Sequence, residues 1–499
     1  MSMAGIGASR HAVARGALAA IFACAALLLS AGQPARAGAQ PLATGLSGIY
    51  TYSPTIFKRT HETGARFVRI SAYWPGIAPD EKPSQWNPAD PADPNYDWEH
   101  LDRGLTEAVA AGLTPVLLID HAPSWAQRCH APPEGFNDAV CDPDPAALAA
   151  FATAAAKRYN GRFEGLPQVV YWQAVNEANL SLFFLPQFNT AGKPLSPDLY
   201  RSLNNAFYDA VNAVEPANLV IAGGLGPIAI PKWTIGPMRF TRMLLCMTGT
   251  KKPKPTKGNC GGGVRFDIFD IHPYTTGGPT HKGNVNDVQL GDLQKLQTLL
   301  TAADRAGRIT GELPRIELWS TEFSWDSKPP DPGGLPMKIL SRWTAEAIYR
   351  SWSAGLSKFF WFSLEDSQRN PNLPYSDTLE SGLFYRGATP EESVPKQVFY
   401  VFRFPFVAYP RKSGLTFWGR TPTSEPGNVE IQILKGGKWR KVAVASANAF
   451  GIFQGTIDNS YGANRHGKAR AVINGDASVP FSMQPVKDFR QPPFGKKGF

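Results

Sequence analysis

From Gly45 to Tyr409 two patterns alternate along the chain. Short runs rich in β-branched and aromatic residues give way to longer stretches whose apolar positions recur every three to four residues, and the pair repeats about eight times. The first pattern reads as strand and the second as amphipathic helix, so the unit is βα. Strands are predicted at Gly45–Tyr52, Arg66–Tyr73, Thr114–Asp120, Gln168–Asn176, Leu219–Gly223, Phe266–His272, Ile316–Glu322 and Lys358–Leu364. Eight such units imply an α/β fold, the TIM (β/α)8 barrel. The helices carry their own punctuation. Asp144-Pro145 reads as N-cap and first helical residue, with Leu148, Phe151, Ala155 and Tyr159 on one face and Gly161 as terminator. Ser196-Pro197 opens another, with Leu199, Leu203, Phe207, Val211 and Val214 as its buried stripe. Loops after strands are long, as at Asp80 to Tyr96, Gln127 to Asp142 and Asp366 to Glu392, whereas a loop before a strand, Val214 to Asn218, is short. One mouth of the barrel is therefore expected to form a cleft.

Beyond Tyr409 the helical period stops. Leu415–Gly419, Val429–Leu434, Trp439–Ala445, Phe450–Ile457 and Ala469–Ile473 alternate with period two, and Lys435-Gly436-Gly437-Lys438 reads as a hairpin turn. A small C-terminal antiparallel β-sandwich is expected, with Val429, Ile431 and Ile433 facing one way and Glu430 and Gln432 the other. The chain thus divides into a barrel over residues 38–410, a sandwich over 411–486 and a Pro-, Gly- and Lys-rich disordered tail over 487–499.

Residues 1–37 have the form of a secretory signal peptide. Arg10 and Arg15 precede an apolar stretch, Gly16 to Leu29, and Ala35-Arg36-Ala37 has the small-x-small form of a cleavage site. The stretch falls short of the roughly 20 residues of a membrane span, and no later segment is long and apolar enough to be one. The expected product is secreted, extracellular or attached to the cell surface. Cys129, Cys141, Cys246 and Cys260 remain after removal of the signal, an even number in an oxidising compartment, and sequence proximity pairs Cys129 with Cys141 and Cys246 with Cys260. Net charge is +10, but residues 411–499 hold 14 Lys and Arg against 5 acids, which leaves the barrel slightly acidic. A basic module is a possible dock for an anionic cell-wall polymer, or simply a soluble surface.

The stretch Tyr171 to Leu180, YWQAVNEANL, is apolar and aromatic until it ends in Asn176-Glu177, and IELWSTE ends the same way in Glu322. Barrel chemistry sits where strands empty into their loops, and these are the fourth and seventh strands, across the mouth from each other. Two carboxylates about 5 Å apart are what a retaining glycosidase needs. The eight histidines are scattered without metal-ligand spacing, so no metal is expected; Gly261-Gly262-Gly263 does not join a strand to a helix as a phosphate cradle must. No cofactor and no nucleic-acid partner are expected.

With Asn176-Glu177 and Glu322 in these places, the chain resembles the clan A glycoside hydrolases, most closely family 39 and next family 5. Arg69 in FVRIS, His272-Pro273-Tyr274 after the sixth strand and Trp361 in FFWFSLED continue the resemblance over most of the barrel, although Val175 stands where the clan usually has Trp. The resemblance implies that Glu177 is the acid/base and Glu322 the nucleophile. Arg69 and Tyr274 are then suited to orient Glu322, Asn176 to hold a sugar hydroxyl, and Trp361 to stack on the sugar, with His272 beside them. Among other aromatic residues at strand ends, Tyr73, Trp74, Trp125 and Trp325, a Trp buries well as core or as platform. His121, in DHAPSW, fits a sugar ligand or a satisfied structural residue. The expected function is hydrolysis of β-linked oligo- or polysaccharides; the alternative is a carbohydrate-binding or wall-associated barrel without turnover.

Overall fold

The computed structural model describes residues 40–129, 139–257, 263–458 and 467–484; the expected signal segment, Cys260 and the expected tail lie outside them. Eight parallel strands, β1 (Ala43–Ser47), β2 (Phe67–Tyr73), β3 (Thr114–Asp120), β4 (Tyr171–Ala174), β5 (Leu219–Leu225), β6 (Ile268–Ile271), β7 (Glu317–Ser320) and β8 (Leu356–Phe362), pair in chain order and close on themselves. After each comes a helix: α1 (Pro54–Glu62), α2 (Glu99–Ala110), α3 (Pro145–Arg158), α4 (Ser196–Val214), α5 (Pro237–Leu244), α6 (Leu293–Arg305), α7 (Met337–Ser353) and α8 (Gln397–Arg403). This is the (β/α)8 barrel that the alternation predicts.

The differences lie at element ends. β1 stops at Ser47 because Gly48 takes a φ of 68°, and the chain then reaches Ser53, whose hydroxyl accepts from the Ile56 N–H and caps α1. Asp144 caps α3 as expected, accepting from the Ala146 N–H at 3.0 Å. Ser196 does not cap α4. Its hydroxyl donates to Gln187 Oε1 at 3.1 Å, and the helix begins at Ser196 itself.

Strand parity organises the interior. At the closed end Phe67, Tyr171, Trp319 and Phe360 point inward together with Val116, Ile221 and Ile268, and the Phe67 and Tyr171 rings meet edge to face at 5.7 Å. Each such apolar side chain contributes roughly 1.5–3 kcal/mol on burial. Lys358 is held in this layer by Glu317 at 3.5 Å and by the Trp319 ring at 5.0 Å. Two residues further along β2, β4 and β6, and just past the end of β7, the inward positions turn polar. That change of layer is where the candidate site begins.

The C-terminal strands are β9 (Phe406–Pro410), β10 (Leu415–Arg420), β11 (Gly427–Lys435), β12 (Lys438–Ala447), β13 (Ile452–Ile457) and β14 (Lys468–Ile473). β9, β10 and β13 form one antiparallel sheet; β12, β11 and β14 form the main part of a second. Val429, Ile431 and Ile433 are buried, and Gly436 and Gly437, at φ 58° and 73°, make the turn between β11 and β12. β9 lies before residue 411 and pairs with β10 from Phe406 onward. Contacts with the barrel fall at its closed end and flank. Buried Arg420 donates to Thr44 Oγ1 at 3.0 Å, at the start of β1, and Trp418 packs at 5.5 Å on both Tyr349 and Trp352 of α7.

A disulfide joins Cys129 and Cys141 in the loop after β3, and Cys246 is also disulfide-bonded. No helix among the described residues is long and apolar enough to cross a membrane.

Candidate active site

Above the aromatic layer, Arg69 of β2, Gln173 of β4, Asp270 of β6 and Thr321 after β7 form a connected polar layer. Arg69 Nε donates to Gln173 Oε1 at 2.9 Å, and Gln173 Nε2 donates to Asp270 Oδ2 at 2.9 Å. Asp270 also accepts from the Thr321 N–H at 2.8 Å and from the Thr321 hydroxyl. Every member is buried and partnered, as a polar group in a barrel interior must be. The layer fixes the guanidinium of Arg69 in place, and its two remaining nitrogens point to the mouth.

Those nitrogens meet the two motifs. Arg69 Nη1 lies 2.6 Å from Glu322 Oε1, and Nη2 donates to Asn176 Oδ1 at 2.9 Å. Tyr274 donates its hydroxyl to the other Glu322 oxygen at 3.2 Å. β4 and β7 stop at Ala174 and Ser320, just short of the acids, and the reason for β4 is visible in the backbone. Val175 and Glu177 sit in the left-handed region at φ 64° and 42°, so the chain leaves the ladder and turns Asn176-Glu177 across the mouth. A β-branched residue there costs on the order of 1–3 kcal/mol. Neighbouring strands hold it, through Val175 N–H to Ile119 O and Glu177 N–H to Gly224 O, both 3.0 Å.

His272 links the acids. Its Nδ1 is 2.9 Å from Glu177 Oε1 and 3.8 Å from Glu322 Oε2, while its Nε2 faces Thr321 Oγ1 at 3.1 Å and Asp270 Oδ2 at 3.4 Å. Complete burial disfavours a charged imidazole, but Glu322, Asp270 and Glu177 outweigh it and push the ring up to about 10. It is therefore an imidazolium that donates from both nitrogens. Asp270 is likewise held below the usual carboxylate range: burial works against it, and His272, Arg69 and Thr321 outweigh burial. Glu177 goes the other way. Burial raises its carboxyl, the nearby Glu322 charge adds to the rise, and His272 only partly offsets it. Burial and Glu322 also hold the Tyr274 hydroxyl well above its ordinary range, so it stays a donor.

No family model and no curated protein sequence matches the chain. Solved structures do. A family 39 glycoside hydrolase from Bacteroides cellulosilyticus superposes over 84% of this chain and 79% of its own, with a TM-score of 0.51 and 16% identity. The chain has the fold of a family 39 glycoside hydrolase. A monomeric beta-xylosidase from Caulobacter crescentus aligns over 84% of this chain and 94% of its own, with a TM-score of 0.48 and 13% identity. A family 30 endoxylanase from Clostridium papyrosolvens aligns over 84% and 94%, with a TM-score of 0.43 and 12% identity.

Within this barrel, Glu177, Glu322, Arg69, Asn176, His272 and Tyr274 converge. Four aromatic candidates do not. Trp361 is fully buried, its indole N–H donated to Ser381 O at 2.7 Å and its ring packed against Phe323 and Phe402. Parity explains this correction: Phe360 points into the barrel, so Trp361 points out toward the helices. The inward aromatic nearer the mouth is Phe362, half-buried against Gly48. Trp325 and Trp74 are core, and Trp125 donates to Pro79 O at 2.9 Å inside an aromatic cluster with Trp74 and Trp86. His121 lies at the end of β3, beside Asp120 and Tyr73 rather than beside the acids. Gln173, Asp270 and Thr321 escaped the sequence reading. The signal for Gln173 and Asp270 was a polar residue four and two positions before a mouth residue, inside an otherwise apolar run, whereas Thr321 directly precedes Glu322.

Proposed function

We propose that the protein is a retaining glycoside hydrolase acting on β-linked sugars by double displacement. The observation that carries this reading is the position of His272 Nδ1, 2.9 Å from one acid and 3.8 Å from the other. Laid end to end, those distances barely reach the lower edge of the separation used by inverting enzymes, about 6.5–9.5 Å, and accommodate the roughly 5–5.5 Å of a retaining pair.

In the first step a Glu322 oxygen attacks the anomeric carbon as the bond to the leaving oxygen breaks, and Glu177 passes its proton to that oxygen. The raised carboxyl of Glu177 supports this role, since an acid must hold its proton at the working pH. Arg69 and Tyr274 donate to opposite oxygens of Glu322 and so orient it. In the second step Glu177, now ionised, removes a proton from water, which attacks the glycosyl ester and frees Glu322. Asn176 binds the hydroxyl next to the reacting carbon, where a hydrogen bond strengthens in the transition state, a role supported by its anchoring to Arg69.

We read the chain as exported, a reading supported by the Cys129–Cys141 disulfide. Exposed Lys435, Lys438 and Arg440 on β11 and β12 support attachment of the sandwich to an anionic wall polymer. Proton NMR of the first-formed product tests the central reading. A panel of aryl β-glycosides of glucose, xylose, mannose and galactose should yield at least one substrate, released with the β-anomer first. Initial release of the α-anomer, or no turnover on aryl glycosides and polysaccharides alike, would overturn it.

A further inference from the structure

A cavity of about 270 Å³ opens between the ends of β2 and β3, lined among others by Tyr73, Asp80, His121, Ser124, Gln127 and Val140. Tyr73 and Asp120 are cross-strand partners, and Tyr73 shares the inward parity of Arg69 two layers further toward the mouth. The cavity therefore belongs to the same open face as the acids, but beside them. Its floor is held in an unusual conformation. His121 takes a φ of 61°, its own N–H donates to Asp120 Oδ1 at 3.1 Å, and its ring stands 5.1 Å from that of Tyr73 at 64°. Strain of this kind persists only where surrounding contacts fix it.

From these contacts we infer that this cavity is a second sugar subsite, which holds the unit next to the one being cleaved. The inference rests on the glycoside hydrolase reading above. Tyr73 is 52% exposed, which leaves part of its ring open to the apolar face of a sugar. Asp120 borders the cavity behind Tyr73 and His121 with its side chain partly exposed; it also accepts from Ser71 Oγ at 3.3 Å and retains acceptor capacity for sugar hydroxyls. Burial works against its charge, but His121 and Arg69 outweigh burial and keep it ionised. Charge-assisted hydrogen bonds from hydroxyls are the strong ones. The size suits one ring rather than a chain, being just below the usual range of about 300–1,000 Å³ for larger ligands.

The test compares paired probes, 4-nitrophenyl β-glucoside with β-cellobioside and 4-nitrophenyl β-xyloside with β-xylobioside. Tyr73→Ala, Asp120→Asn and His121→Asn are the variants; Asn tolerates the left-handed backbone at residue 121. The disaccharide-to-monosaccharide ratio of kcat/KM should fall about ten- to a hundredfold in each, the fold-change of a lost hydrogen bond to a charged group or a lost stacking contact. An unchanged ratio overturns the subsite. Calorimetric titration of Glu322→Gln with cellotetraose and xylotetraose separates the two readings. Binding that Tyr73→Ala abolishes, without turnover of any probe, keeps the subsite and refutes the hydrolase; turnover with an unchanged ratio does the reverse. Absence of both binding and turnover overturns both.

Discussion

Replacing His272 by Gln removes the cation that most directly opposes protonation of Glu177. The ring is an imidazolium, with its Nδ1 2.9 Å from Glu177 Oε1. Two charges whose centres are about 4 Å apart interact by roughly 4 kcal/mol at an effective dielectric of about 20. A Gln amide still donates a neutral hydrogen bond and Arg69 stays nearby, so Glu177 is expected to rise further, but by less than complete loss of that charge would give. The sign follows from the role. An acid catalyst works only when protonated, so activity falls as pH rises through its pKa, and raising that pKa moves the alkaline limb of kcat/KM upward. The assay is a pH profile of wild type and His272→Gln on a substrate with a poor leaving group, with melting curves to confirm folding. A 2,4-dinitrophenyl glycoside serves as control, because its aglycone departs without a proton and its limb should move little. An alkaline limb that stays in place, or moves down, would refute both the imidazolium and the role of Glu177.

Four other outcomes are expected. Glu177→Gln should lose turnover of natural glycosides but still react with activated aryl glycosides and respond to azide, whereas Glu322→Gln should remain inactive on both; near-wild-type rates on a natural glycoside would sink the assignment. Because His272 is raised from about 6.5 to about 10, its contribution to stability is fully present below pH 6.5 and is lost as pH climbs toward 10. The wild-type unfolding free energy should therefore fall across that window more steeply than that of His272→Gln; parallel curves would contradict this. Cys129→Ser with Cys141→Ser opens a loop of sequence separation 12 and should lower stability in denaturant titrations by roughly 3 kcal/mol in the chain-entropy account. Replacing Lys435, Lys438 and Arg440 by Glu in the full chain should abolish low-salt retention on an anionic polysaccharide column while leaving hydrolysis of small aryl glycosides intact; retention that ignores salt would rule out docking by charge.

The barrel was legible because its signal is periodic. Apolar runs that alternate with 3.6-period stretches leave few alternatives, and carboxylates at the ends of two such runs draw attention to themselves. What was not legible depends on strand parity, which a sequence gives only to within a residue. That uncertainty put Trp361 at the mouth, while Phe360 in fact takes the inward position and sends Trp361 into the helix layer. It also hid Gln173 and Asp270, since an isolated polar residue in an apolar run gains meaning only when four strands stack it into one layer. The left-handed turn at Val175 left no trace, because a β-branched residue ordinarily argues for continued strand.

The most direct measurement is the mass of the trapped enzyme. Incubation with 2,4-dinitrophenyl 2-deoxy-2-fluoro-β-glycosides of the accepted sugar should slow hydrolysis of the glycosyl-enzyme more than its formation. Peptic digestion and mass spectrometry should then find one fluorosugar per protein, on the peptide that contains Glu322, and none in Glu322→Gln. A label on Glu177 or elsewhere, or hydrolysis of the same glycosides that never passes through a covalent adduct, would contradict the assignment of Glu322 as nucleophile.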